Sequence, residues 1–164
     1  MGRDAVQTIT YKDKLYWFWG DTDRPAYPLG NFRVTGATSQ MPQNGGLDPD
    51  AGVNLDYFTK EDGFVKSLVP QLPDGAGIAW VFGLMTAKDS AGHERLLAGY
   101  STHNPGLSAF GIVAFNDNIK EFEQIVQFPS KDDWRHPGGQ DYVEIVLDGI
   151  ARWPFAALAF GRMP

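Results

Sequence analysis

Four strand-like segments follow one another between residues 78 and 128, and this run constrains the fold more than any other part of the chain. Turn signals separate the segments, among them Asp-Ser-Ala-Gly at 89–92 and Asn-Asp-Asn at 116–118. Short apolar runs bounded by Gly, Asn and Asp predict antiparallel strands joined by hairpins. The predicted strands are residues 78–87, 94–102, 107–115 and 122–128. Four such strands within roughly 50 residues are typical of one blade of a β-propeller.

Similar segments lie on both sides of this run. Upstream, residues 5–11 and 15–19 predict a hairpin closed by the polar turn 12–14, and residues 32–38 predict a further strand. Downstream, residues 142–147 and 155–160 predict the first two strands of another blade. Between the two regions, one strand is predicted at 53–59 within long loops. Weak helical spacing over 118–127 leaves a helix as the alternative to the last strand of the central blade.

The composition fits an all-β protein and excludes several functional classes. Aromatic residues make up 13% of the chain, and its 19 Gly and 11 Pro favour short strands and turns over long helices. The net charge of -6, with Lys and Arg scattered, argues against a nucleic-acid partner. With 0 Cys there is no disulfide, thiolate nucleophile or Cys-based zinc site. No apolar run approaches the ~20 residues of a membrane-spanning helix, so no membrane partner is expected.

The sequence therefore predicts an all-β chain forming one antiparallel β-propeller region over residues 1–164, with an incomplete set of about two to three blades. A partial blade at 1–38 precedes long loops with one strand at 39–75, a full blade at 76–128 and a partial blade at 141–164. Propellers close with ~4–8 blades, so we expect a fragment of a longer protein. Two alternatives remain: self-association through open propeller edges, or a different β fold such as a sandwich.

An aromatic strand and its turn carry a family resemblance. Residues 15–22, Leu-Tyr-Trp-Phe-Trp-Gly-Asp-Thr, resemble the strand and GDT turn of uncharacterised bacterial five-bladed β-propeller proteins of the glycoside hydrolase-like superfamily. Shorter similarities occur at 56–64, 96–101 and 115–123. The resemblance implies a propeller that binds or hydrolyses a saccharide. The alternatives are a non-catalytic propeller that binds a glycan or protein, and a truncated chain without independent activity.

Asp21, directly after the aromatic strand, is the candidate catalytic residue. Glycoside hydrolysis generally uses two carboxylates, which lie ~5–5.5 Å apart in retaining enzymes and ~6.5–9.5 Å apart in inverting ones. Asp56, Glu94 and Glu144 are the candidates for the second. In the structural alternative, Asp21 and Thr22 cap the turn through hydrogen bonds from their side chains to the backbone.

Four further residues are candidates for saccharide binding. Arg24 has a planar fork of donors for sugar hydroxyls, or pairs with a neighbouring aspartate in the structural alternative. Trp134 lies in a polar loop, where its ring is available for stacking on a sugar. His103 and His136 each end a strand or lie in a loop, as a hydrogen-bonding or acid–base group in a pocket would.

Two other patterns have mainly structural interpretations. Strict alternation places Trp17 and Trp19 on one face of their strand and Tyr16 and Phe18 on the other, so at least one pair belongs to the core. Residues 48–52, Asp-Pro-Asp-Ala-Gly, are a turn rather than a calcium loop because they depart from the EF-hand pattern. The histidines lack metal-site spacing and no phosphate or dinucleotide loop is present, so no metal and no cofactors are predicted.

Overall fold

A computed structural model describes most of the chain between residues 5 and 152. The described segments are residues 5–22, 33–48, 50–69, 78–103, 108–130, 145–147 and 150–152. They contain strands and a single 3-10 turn, Pro42–Asn44, so the all-β prediction is confirmed. Among them there is no helix long and apolar enough to cross a bilayer.

The first sheet is a meander of four antiparallel strands in chain order. They are β1 (Val6–Tyr11), β2 (Lys14–Trp19), β3 (Thr35–Gln40) and β4 (Asp56–Tyr57). Lys12 and Asp13 form the two-residue hairpin between β1 and β2, with φ of 49° and 60°. Positive φ at both central residues matches the right-handed twist of the flanking strands. The strand predicted at 53–59 shortens to β4, which pairs with β3 through Ala37 and Thr38.

The second sheet repeats the same order and includes the four strands of the central run. They are β5 (Ile78–Lys88), β6 (Glu94–His103), β7 (Phe110–Asn116) and β8 (Glu121–Phe128). The alternative of a helix over 118–127 is wrong, because β8 pairs with β7 along its whole length. A short hairpin of β9 (Ile145–Leu147) and β10 (Ile150–Arg152) follows, while the strand predicted at 155–160 lies outside the described residues.

Aromatic side chains from both sheets form the core between them. Tyr16 and Phe18 lie on one face of β2 and are 5% and 1% exposed, as the alternation predicted. Their rings meet Phe115 of β7 edge-on, with centroids 5.7 and 6.1 Å apart. Phe122 of β8 lies 5.2 Å from Phe18 and 5.3 Å from Phe115. Such pairs contribute about 0.5–1.5 kcal/mol each beyond the area they bury, so this cluster joins the two sheets.

Polar contacts also connect the two sheets. The Gln7 side chain on β1 donates to the carbonyl of Val81 on β5 at 2.8 Å, so the first strands of the two sheets are neighbours. At the other end of β1, the Tyr11 hydroxyl and the Lys12 ammonium both donate to Oδ2 of Asp117, at 2.8 and 2.7 Å. Partial burial alone would raise the pKa of Asp117, but the hydrogen bonds from Lys12 and Tyr11 hold it below its ordinary value. The same contact raises the pKa of Lys12 to about 12.

Candidate functional site

Asp21 lies just after the end of β2, at an edge of the molecule that we call the Asp21 edge. A residue of the second sheet holds Asp21 there. The indole N–H of Trp80, near the start of β5, donates to Oδ1 of Asp21 at 3.1 Å. The backbone N–H of Gly20 donates to the carbonyl of Ala5 at 3.2 Å, which ties the turn to the start of β1. Asp21 is half-buried, so its carboxylate lies at the junction of the two sheets and is still reached by solvent.

Thr22 has a structural role next to this carboxylate. Its hydroxyl shares a 2.8 Å hydrogen bond with the hydroxyl of Thr35 on β3, and both residues are fully buried. The bond joins the chain leaving β2 to the chain entering β3. Among the described residues, Thr22 bonds a side chain of the next strand and Asp21 bonds a ring of the other sheet. The backbone N–H groups that the predicted cap would use, from residue 23 onward, lie outside the described residues.

The strand order brings one of the other predicted site residues, His103, to this edge. His103 ends β6 and pairs with Ile78, two residues before Trp80, so its backbone lies at the Asp21 edge. Phe128, the last residue of β8, lies at the same end of the second sheet as Trp80. Trp80 pairs with Ser101, Ser101 pairs with Phe110, and Phe110 pairs with Phe128. Arg24, Trp134 and His136 lie outside the described residues, in segments that continue from Thr22 and from Ser130.

Two of the predicted partner carboxylates do not meet Asp21. Glu94 begins β6 at the opposite edge, where its backbone carbonyl and side chain accept hydrogen bonds from Tyr11 and Lys12. Seven residues separate it from Ser101, the residue that pairs with Trp80, which corresponds to about 23 Å at ~3.3 Å per residue. Asp56 lies two strands from β2, level with its middle, and lines a separate groove. Glu144 is outside the described residues.

That groove is a second feature with the composition of a binding site, and the sequence did not predict it. It encloses about 440 Å³. One side is the outer face of the first sheet, which is the face that carries Trp17 and is opposite to the core, and the other side is the segment between β3 and β4, residues 41–55, here called the excursion. Trp17 lines it, and the indole N–H of Trp17 donates to the hydroxyl of Ser39 at 2.9 Å. The lining residues are Lys14, Leu15, Trp17, Thr38, Ser39, Gln40, Pro42, Gly45, Gly46, Leu47, Gly52, Val53, Asn54 and Asp56.

The wall of the groove is formed by the tight fold of the excursion after β3. The backbone N–H of Gly46 donates to the carbonyl of Met41 at 2.9 Å. A Cβ at Gly46 would collide with the carbonyl oxygen of Gln40, so a glycine is required for this close approach. Further along, the backbone N–H of Asp50 donates to Oδ1 of Asp48 at 2.9 Å. This local turn agrees with the structural interpretation of residues 48–52, and no group of metal-ligating side chains occurs among the described residues.

The two features differ in what they offer a ligand. The Asp21 edge combines a carboxylate with the ring of Trp80 at a junction between sheets. The groove combines the ring of Trp17 with a rim of polar side chains on the outer face of one sheet. Comparison with protein-family models, with curated proteins and with solved structures gives no match for this chain.

Proposed function

We propose that this chain is a carbohydrate-active protein of the β-propeller type and that it binds a saccharide at the Asp21 edge. The observation that carries the proposal is the hydrogen bond from the Trp80 indole to the Asp21 carboxylate. Sugars are recognised by carboxylates that accept their hydroxyl protons and by aromatic rings that stack on their C–H faces. Here one contact fixes both groups side by side.

The arrangement of the two sheets supports the propeller part of the proposal. Both are four-stranded antiparallel meanders in the same chain order. Their first strands are neighbours through the bond from Gln7 to Val81, and their faces pack on each other through Phe18 and Phe115. Consecutive blades of a propeller have this relation, with the first strand of each blade innermost and the blades packed face to face. The Asp21 edge lies beside the starts of β1 and β5, the first strands of the two sheets, so it would then adjoin the central channel.

If the saccharide is hydrolysed, the chemistry of the contact favours Asp21 as the nucleophile or general base over Asp21 as the proton donor. An indole N–H only donates, so it pairs with a carboxylate oxygen that accepts. An aspartate held by such a bond is suited to act as the nucleophile or the general base, while the proton donor is a second carboxyl group. Of the three candidates for the second group, Glu94 and Asp56 lie away from this edge and Glu144 lies outside the described residues.

The test compares Asp21→Asn with the wild-type protein in binding to, and release of reducing sugar from, a panel of soluble glycans. Loss of a general base or nucleophile lowers turnover by at least about 100-fold. Trp80→Phe keeps an aromatic ring but removes the donor to Asp21, so an intermediate loss of turnover is expected. Asp13→Asn is the matched control, since Asp13 is an exposed carboxylate in the hairpin at the opposite edge.

Each outcome of this experiment decides between the two forms of the proposal. Turnover that disappears in Asp21→Asn and survives in Asp13→Asn supports hydrolysis. Binding without turnover, weakened by Asp21→Asn, supports the non-catalytic alternative at the same edge. If Asp21→Asn binds and turns over every glycan as the wild type does, Asp21 has no part in the function.

A further inference from the structure

We infer that the groove lined by Trp17 is a second saccharide-binding site, separate from the Asp21 edge, and that its ligand is a neutral glycan. The inference does not depend on the role of Asp21, because it rests on a different set of residues. Trp17 is half-buried on the outer face of β2, while its neighbours Tyr16 and Phe18 fill the core on the other face. The packing of the sheets therefore leaves Trp17 available to the groove.

The hydrogen bond of Trp17 determines which part of its side chain remains for a ligand. Its only donor, the indole N–H, is already engaged by the Ser39 hydroxyl at 2.9 Å. The same bond fixes the orientation of the ring, so little side-chain entropy is lost when a ligand binds. What Trp17 offers is thus a preorganised aromatic surface, which suits the C–H face of a sugar ring.

Unengaged polar side chains surround this ring. Gln40, Asn54 and Asp56 line the groove and are exposed, and their side chains make no hydrogen bond with any other described residue. An amide both donates and accepts, and a carboxylate accepts, so the three together match hydroxyl groups that point in several directions. A purely apolar ligand would leave these groups without partners and bury them at a cost.

The charges of the lining favour a neutral ligand. Lys14 is the one cation of the lining and Asp56 its one carboxylate. Asp48 and Asp50 lie outside the lining but in the same excursion, which holds no Lys or Arg, so the charges around the groove disfavour an anionic glycan. Leu47 and Val53, which are 41% and 50% exposed, add apolar surface to the rim.

The groove and the Asp21 edge lie at different places on the first sheet. Lys14 and Leu15 at the start of β2, and Gln40 at the end of β3, line the groove. Asp21 follows the other end of β2 and contacts the second sheet. A glycan in the groove therefore does not occupy the Asp21 edge, and each site can be changed without the other.

The test is affinity electrophoresis in gels that contain a soluble neutral polysaccharide, with mixed-linkage β-glucan, arabinan and galactomannan run separately and polygalacturonate as the anionic comparison. We expect at least one neutral polysaccharide to retard the wild-type protein. Trp17→Ala should weaken that binding about tenfold or more, as removal of a central tryptophan does at binding sites. Trp17→Phe keeps a ring and should retain most of the binding although it loses the bond to Ser39.

Controls separate this site from the Asp21 edge and from loss of fold. Thr10→Ala changes an exposed residue on the same outer face, outside the groove lining, and should bind as the wild type does. Each groove variant is also compared in an Asp21→Asn background, so that a loss of retardation there is assigned to the groove and not to the Asp21 edge. Variants are compared only where far-ultraviolet circular dichroism shows the sheet content of the wild type and urea unfolding stays cooperative; if Trp17→Ala fails this criterion, Asn54→Ala replaces it with the same expectation. The inference is overturned by unchanged binding in the folded variant, by retardation only in polygalacturonate, by binding of apolar peptides instead of glycans, or by no retardation in any neutral gel.

Discussion

Replacing Phe115 with alanine tests whether the aromatic cluster holds the two sheets together as one cooperative unit. Phe115 is 1% exposed, and its ring lies within 6.1 Å of those of Tyr16, Phe18, Phe58 and Phe122. Two of these partners belong to β2 of the first sheet, whereas Phe115 itself belongs to β7 of the second. Phe115→Ala therefore removes contacts within the second sheet and across the junction together.

The size of the effect follows from the number of rings that lose a neighbour. A buried Phe→Ala substitution costs about 3–5 kcal/mol of unfolding free energy, and the cost is larger where the site cannot collapse. Four ring contacts, each worth about 0.5–1.5 kcal/mol beyond buried area, place Phe115→Ala in the upper half of that range. For a chain of 164 residues, about 2–4 °C is lost per kcal/mol, so Tm should fall by roughly 8–20 °C.

Urea unfolding followed by both tryptophan fluorescence and far-ultraviolet circular dichroism measures the change. The two signals should give one coincident transition in the wild type and in Phe115→Ala. Ile125→Ala, on an exposed side chain of the neighbouring β8, is the control and should stay within about 0.5 kcal/mol. A loss below about 1 kcal/mol in Phe115→Ala, or two separate transitions in the wild type, would refute the view that this cluster joins the sheets.

Two further changes test polar groups between the sheets. The Tyr100 hydroxyl is buried without a partner among the described residues. Tyr100→Phe should therefore leave the unfolding free energy unchanged or raise it by up to about 1 kcal/mol. A clear loss of unfolding free energy in urea would mean that the hydroxyl is hydrogen-bonded. The hydrogen bonds from Lys12 and Tyr11 lower the pKa of Asp117 in the folded protein below its ordinary value of 3.8. The ionised Asp117 therefore stabilises the fold at pH values above 3.8, and this stability is lost as the pH falls through the lower pKa of the folded state. Asp117→Asn should therefore be less stable than the wild type at pH 7. The difference in unfolding free energy should be only about 1 kcal/mol, because Lys12 is 52% exposed. This difference should vanish near pH 2, and a difference that stays constant with pH would contradict the reasoning.

The strands that the sequence predicted best are those whose partners are close along the chain. The hairpin of β5 and β6 has a turn signal at 89–92, and both of its strands are long enough to be predicted from the local sequence pattern. β4 has neither advantage, because it is two residues long and pairs with β3 across the whole excursion after Gln40. The sequence pattern predicted a strand there but held no information about its partner, since strand pairing is set by packing over long distances.

The same physical limit applies to the candidate site. The place of Asp21 at the end of a strand could be predicted, because the apolar run stops at Gly20. Its partner Trp80 lies 59 residues away, and nothing local connects them. The groove was missed for a related reason: the region after residue 38 was predicted as long loops around one strand, but only the fold of this segment back onto the sheet at Gly46 creates a wall opposite Trp17.

The alternation along β2 makes stability and binding separable in neighbouring residues. Phe18 points into the junction, where it meets the rings of Phe115 and Phe122, so its truncation should lower the unfolding free energy and disturb both candidate sites through the sheets. Trp17 points to the outer face, where its only described bond is to Ser39 on the adjacent strand. Its truncation costs one local bond and the burial of half of its ring, so it should destabilise the fold less than truncation of the fully buried Phe18 does. A strand with period two thus carries the core on one face and the proposed binding surface on the other, and substitutions one residue apart can distinguish the two.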